Sequence, residues 1–154
     1  MDYGGRIVNQ LRHLPAWLTL ACLPLAACAA PEPAKVDCAE AISTLEINQC
    51  AQAEVQQAEQ QLEDYLSAAR QRYAQDSEAL TALQTAQQSW SQFRQEHCAA
   101  VYSLWREGSI RGLMHNQCML QQTRQRTHDV WQVYLTSMDN STPVLPEPAV
   151  EAAE

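Results

Sequence analysis

From residue 51 onward the apolar positions fall at helical spacing. Ala51, Val55, Ala58, Leu62, Tyr65, Ala69 and Tyr73 recur at steps of four and three, one unbroken stripe. A second stripe, Leu80, Leu83, Gln87, Trp90, Arg94, Val101 and Trp105, keeps the rhythm but carries Gln and Arg inside it. The third, Leu113, Gln117, Leu120, Val130, Trp131 and Tyr134, is weaker. The ends are marked too. Ser43-Thr-Leu-Glu46 has capping-box spacing, Asp76 can cap the second helix, and Gly108 followed by Ser109 can end the second and begin the third. The pattern predicts helices over 44–73, 77–106 and 110–136. Short connections force neighbouring helices to run antiparallel, so the expected fold is an all-α, up-down-up three-helix bundle. No internal self-similarity supports a helical repeat array.

The first residues follow a different rule. Arg6, Arg12 and His13 precede an apolar run from Leu14 that holds Pro15 and Pro24 and ends in Leu25-Ala26-Ala27-Cys28. That is the profile of an export signal, too short to span a bilayer, which takes roughly 20 apolar residues. The ending is similar to a bacterial lipobox, on which reading 1–27 is a lipoprotein signal peptide and Cys28 the lipidated mature N-terminus; the alternative is ordinary cleavage after a small-residue site, releasing a soluble secreted protein. Residue 29 is Ala rather than the inner-membrane retention aspartate, so the expected location is the periplasmic face of the outer membrane in a diderm host. Residues 28–36 then read as a tether, 37–137 as the helical domain, and 138–154 as a disordered, acidic, Pro-rich tail.

The chain's 154 residues make about one domain. Nineteen Gln against four Gly favour long polar-faced helices over a turn-rich sandwich. The net charge of -8 disfavours nucleic acid and favours a basic partner. Downstream of the signal, eight Lys or Arg stand against seventeen Asp or Glu.

Export also changes what the cysteines mean. Cys22 leaves with the signal and Cys28 takes the lipid, leaving Cys38, Cys50, Cys98 and Cys118. Cys98 lies ten residues before Gly108 and Cys118 ten after it, the same height on an antiparallel hairpin, which favours Cys98–Cys118. Cys38–Cys50 then requires the chain to fold back before Ser43, because in one straight helix the two would be about 18 Å apart. The crossed alternative, Cys50–Cys98 with Cys38–Cys118, stays open. A zinc site at His97, Cys98, His115 and Cys118 is disfavoured, since exported thiols oxidise and there is no Cys-x-x-Cys pair. No metal or other cofactor is expected.

Together these residues form a pattern. Asp37-Cys38, Thr44-x-Glu46-x-Asn48-x-Cys50, Ala58-Glu59-x-x-Leu62-x-x-Tyr65, Gln87-x-x-Trp90-x-x-Phe93-Arg94-x-x-x-Cys98, Gly108-Ser109-Ile110 and Cys118-x-x-x-x-Thr123-Arg124-x-Arg126 resemble the LprI-like lysozyme-inhibitor family over residues 37 to 135. The resemblance implies an exported, helical, disulfide-linked bacterial protein, and a lysozyme as partner. Glu63 stands where the family often has Asn.

The residues that could carry such a function fall in two groups. Ser109 is the apex of a loop flanked by Arg106 and Arg111, and a guanidinium can bind the paired carboxyl groups of a glycosidase cleft. Its structural alternative is a pair of helix caps beside solvated arginines. Gln87, Trp90 and Arg94 lie on the inward stripe, where Arg94 needs a carboxylate, with Glu46 or Glu59 in reach. Thr123, Arg124 and Arg126 read as a pairing group on a helix face, and His128 and Asp129 as surface residues. No Gly-x-Ser-x-Gly elbow, phosphate-binding Gly loop or His-Glu-x-x-His is present, so no enzyme and no small-molecule substrate is expected. The competing functional class is a non-catalytic periplasmic adaptor that binds another envelope protein through its helix faces.

Overall fold

The computed structural model describes residues 36–139 and 141–149. The expected signal peptide, Cys28 and most of the tether lie outside the described residues. Three helices form: α1 (Thr44–Arg72), α2 (Ser77–Leu104) and α3 (Arg111–Val130), the last running into a π-helical segment, Trp131–Leu135. Among the described residues none of the helices is long and apolar enough to cross a membrane.

Cross-links and hydrogen bonds fix the register. Near its start α1 meets the start of α3, where the Asn116 amide donates to the Asn48 carbonyl at 3.4 Å. At the far end Arg72 donates to the carbonyls of Tyr134 (3.0 Å) and Thr136 (2.9 Å), so α1 and α3 run in the same direction. Between them in sequence, α2 runs the other way, with Arg94 on Thr123 and Gln87 on Arg126. The up-down-up order is as expected. Helix α3 packs along both partners, whereas α1 and α2 diverge and leave a cleft of about 560 Å³ lined by Leu66, Ala74, Leu80 and Leu83.

The first stripe forms the core. Val55, Ala58, Leu62, Tyr65 and Ala69 are buried as its period requires, joined by Leu66. Leu62, Tyr65, Leu66, Ala69, Leu83, Val130 and Leu135 make one cluster at the end of the bundle away from the α2–α3 turn. Burying each large aliphatic there contributes about 1.5–3 kcal/mol. The third stripe is weak because α3 buries threonines. Gln117 is exposed, while Thr123 and Thr127 are fully buried and donate to the Met119 and Thr123 carbonyls four residues back. Its last five residues depart from the expected α-helix, because π hydrogen bonding shifts the phase and seats Leu135 in the core beside Tyr134 and Trp131.

Both preferred disulfides form: Cys38–Cys50 with Cα atoms 5.7 Å apart, and Cys98–Cys118 at 5.6 Å. The chain does fold back before Ser43, which caps α1 in a complete box with Glu46. The oxidised sulfurs leave no thiolate for zinc. His97 instead stacks on Phe93, and His115 meets Tyr102 edge-on.

The tail departs from expectation. Residues read as disordered from 138 onward lie, over 141–149, on the bundle: the Val144 amide donates to the Leu135 carbonyl at 2.9 Å, Leu145 packs on the core cluster, and Pro148 is buried. The physical reason is composition. Prolines leave little backbone entropy to lose, and Val144 and Leu145 supply apolar surface that a purely acidic tail lacks.

Candidate functional site

The α2–α3 turn forms the tip of the hairpin. Helix α2 stops earlier than predicted, at Leu104, and Trp105 becomes its C-cap with its amide on the Val101 carbonyl. Trp105, assigned to the inward stripe, is therefore 41% exposed. Gly108 donates to the Trp105 carbonyl at 2.9 Å, closing a tight turn. Ser109 does not cap α3: the N-cap position is Ile110, which makes no side-chain cap bond. Of the two expected cap roles the structure shows neither as drawn, because the chain spends residues 105–110 on turns before α3 begins. The Ser109 side chain is left exposed.

Its flanking arginines differ. Arg106 reaches its neighbour Glu107 (3.4 Å) and the Ser103 carbonyl (3.4 Å), both exposed contacts of little energetic weight. Arg111 lies over the Tyr102 ring, 5.0 Å from its centroid, and Tyr102 in turn meets His115. Stacking orders that guanidinium while leaving it at the surface. Around the arginines the tip carries apolar groups that sequence reasoning passed over: Leu104 is 78% and Ile110 40% exposed. Trp and Tyr beside Arg, on an exposed turn, is the composition of protein-binding hot spots. The sequence signal for this surface is Trp105 at the end of a helical stripe, three residues before Gly108.

The second group is internal. Arg94 is buried, with Glu59 at 2.9 Å, the Thr123 hydroxyl at 2.7 Å, and Trp90 with its ring centroid 5.0 Å away. Of the two carboxylates in reach, Glu59 is the partner, because Glu46 is held by Ser43. Arg126 donates to Gln87 at 3.0 Å and lies 5.9 Å from the Trp90 centroid. Glu59, Gln87, Trp90, Arg94, Thr123 and Arg126 thus form one network that joins all three helices, and it is a fastening rather than an open pocket. Arg124 lines a polar groove with Glu54, Gln57 and Asp64 on the outer side of α1. Asn48 sits at the α1–α3 crossing, its amide on the Thr44 carbonyl at 2.7 Å. His128 is not a plain surface residue: it lies 3.3 Å from Glu147 of the tail and packs against Trp131. Asp129 accepts from Gln125 at 2.9 Å. Among the described residues no cluster of His, Cys, Asp and Glu has the makings of a metal site.

The chain is similar in sequence to known proteins. An uncharacterized protein of Rhizobium meliloti (strain 1021) is 30% identical over 124 residues, covering 73% of this chain and 87% of the relative. No solved structure matches the chain. Residues 36–130, which span the disulfides, the three helices and the Arg94 network, match the family described as "Lysozyme inhibitor LprI". A chain matched over that span belongs to the LprI lysozyme-inhibitor family.

Proposed function

We propose that this domain binds a lysozyme in the cell envelope and occludes it with the α2–α3 tip, held to the membrane by a lipid on Cys28. The observation that carries the reading is the tip itself, in a chain of this family: Leu104, Trp105 and Ile110 exposed on a tight turn, with Arg106 and Arg111 beside Ser109. A lysozyme cleft works with two carboxyl groups, and a narrow turn offering apolar contact and guanidinium donors suits it, with no covalent step. The acidic surface steers a basic enzyme toward the domain, raising the association rate more than the affinity. The outer membrane of a diderm host is the proposed location, following from Ala29 after the lipobox cysteine.

The test is direct. The oxidised domain, titrated into hen-type lysozyme acting on cell walls, slows lysis in proportion to its concentration in the micromolar range. Ser109→Trp, which blocks the turn without touching the core, removes at least tenfold of that potency. Undiminished lysis at micromolar excess of wild type sinks the reading.

A further inference from the structure

Helices α1 and α2 are joined by the short turn 73–76, yet they diverge, and the space between them is the cleft of about 560 Å³. Its floor is Leu66 and Leu83, both members of the core cluster, and Leu80 and Ala74 carry the apolar wall to the turn. Small-molecule sites have this character: roughly 300–1,000 Å³, mostly apolar, with a few placed polar groups. Along α2 the wall runs Leu80, Leu83, Gln84 and Gln87, one helical face about 10 Å long. No Asp or Glu lines the cleft, in a chain that has 18. Arg70 lines it too, and is already paired with Glu63.

A second observation comes from behind the Gln87 wall. The Gln87 side-chain oxygen accepts from Arg126 Nε at 3.0 Å, which leaves the Gln87 amide N–H groups to donate elsewhere. Arg126 Nη2 is buried and has no acceptor. Arg94 likewise leaves its Nε bare, but Glu59 at 2.9 Å matches the charge of that guanidinium. Arg126 has Gln87 and the Trp90 ring, and no carboxylate among the described residues. A buried donor of a charged group is costly to leave unmet, and an anion is the partner that removes the cost.

We propose that the α1–α2 cleft binds a single-chain carboxylate of the fatty-acid class, its hydrocarbon on Leu66, Leu80 and Leu83 and its head at Gln87, with Arg126 as countercharge. One unmatched positive charge calls for a monoanion, and a planar carboxylate fits the guanidinium fork. The turn at 73–76 closes one end, so a hydrocarbon chain can stop there whereas a partner helix cannot run through. An apolar wall about 10 Å long suits one chain of medium length, not the paired long tails of a membrane phospholipid. The cleft lies at the end of the bundle away from the α2–α3 tip, so this binding stands apart from any contact with lysozyme.

The experiment titrates the protein, both disulfides formed, with decanoate below its micelle concentration and reads the heat of binding. Decanoate saturates one site, and decanol, the same chain without the charge, binds at least tenfold more weakly. Arg126→Gln removes that difference while leaving decanol binding as it was, and Arg126→Lys keeps most of it. Leu80→Trp, which fills the cleft from a half-buried position, abolishes binding of both. No saturation by decanoate overturns the proposal, and so does equal affinity for decanol. If Arg126→Gln does not fold, Leu80→Trp decides, since it touches no member of the Arg94 network: decanoate binding unchanged in that variant places the ligand elsewhere and overturns the assignment.

Discussion

At Gly112 a side chain is excluded by a neighbour. A Cβ there would stand 2.6 Å from Oδ1 of Asn48, whose amide is tied to the Thr44 carbonyl and cannot swing aside without losing that bond. The crossing of α1 over α3 depends on this close approach. On helix propensity alone Gly112→Ala would stabilise by about 1 kcal/mol, but overpacking costs about 1–3 kcal/mol, and the second effect wins. Thermal unfolding of Gly112→Ala should therefore fall below wild type by a few degrees, and the double variant with Asn48→Ala should recover part of the loss. The sequence marks Asn48 through its place in the family motif but not Gly112, whose role exists only once two helices distant in sequence are pressed together. The need of Arg94 for a carboxylate, by contrast, is visible in one stripe: a charge at an inward position demands a partner, and Glu59 supplies it.

Helix starts were easier to read than helix stops. The Ser43 box is purely local, spanning Ser43 to Glu46, and both of its reciprocal bonds form. Hydrogen bonds from the Ser43 side chain and backbone, then from the Ile42 backbone, hold the Glu46 carboxyl below its ordinary value. A carboxyl depressed in the folded state contributes stability above its unfolded pKa and loses it as the pH falls through the folded one. Ser43→Ala should cost about 1 kcal/mol at neutral pH, and the difference from wild type should shrink in acid, measured by denaturant titration at both pH values. The end of α2 and the phase shift after Val130 were not legible in the same way. Both are settled by tertiary contacts, the first by the disulfide-bound hairpin and the second by the packing of Leu135 and Tyr134 against α1.

Across the whole molecule, two kinds of fastening occupy opposite ends. The apolar cluster and the docked tail secure the end where α1 stops, while Cys38–Cys50 and Cys98–Cys118 lie toward the end that carries the tip. The crosslinks were legible in the placing of Cys98 and Cys118 about Gly108 and of Cys38 and Cys50 about the Ser43 cap. The tail's docking was not, because its partners Tyr65 and Trp131 lie on separate helices and no periodicity connects them to Leu145 and Pro146.

The two crosslinks also limit how far the polypeptide can be drawn out. They enclose sequence separations of 12 and 20 residues, which stay looped under tension however completely the helices give way. Stretched in an optical trap by handles at residues 36 and 149, the reduced chain should yield about 100 Å more contour length than the oxidised one. A chain fastened in this way yields less slack when pulled, and a gain well short of that figure after reduction would mean that the sulfurs enclose different loops.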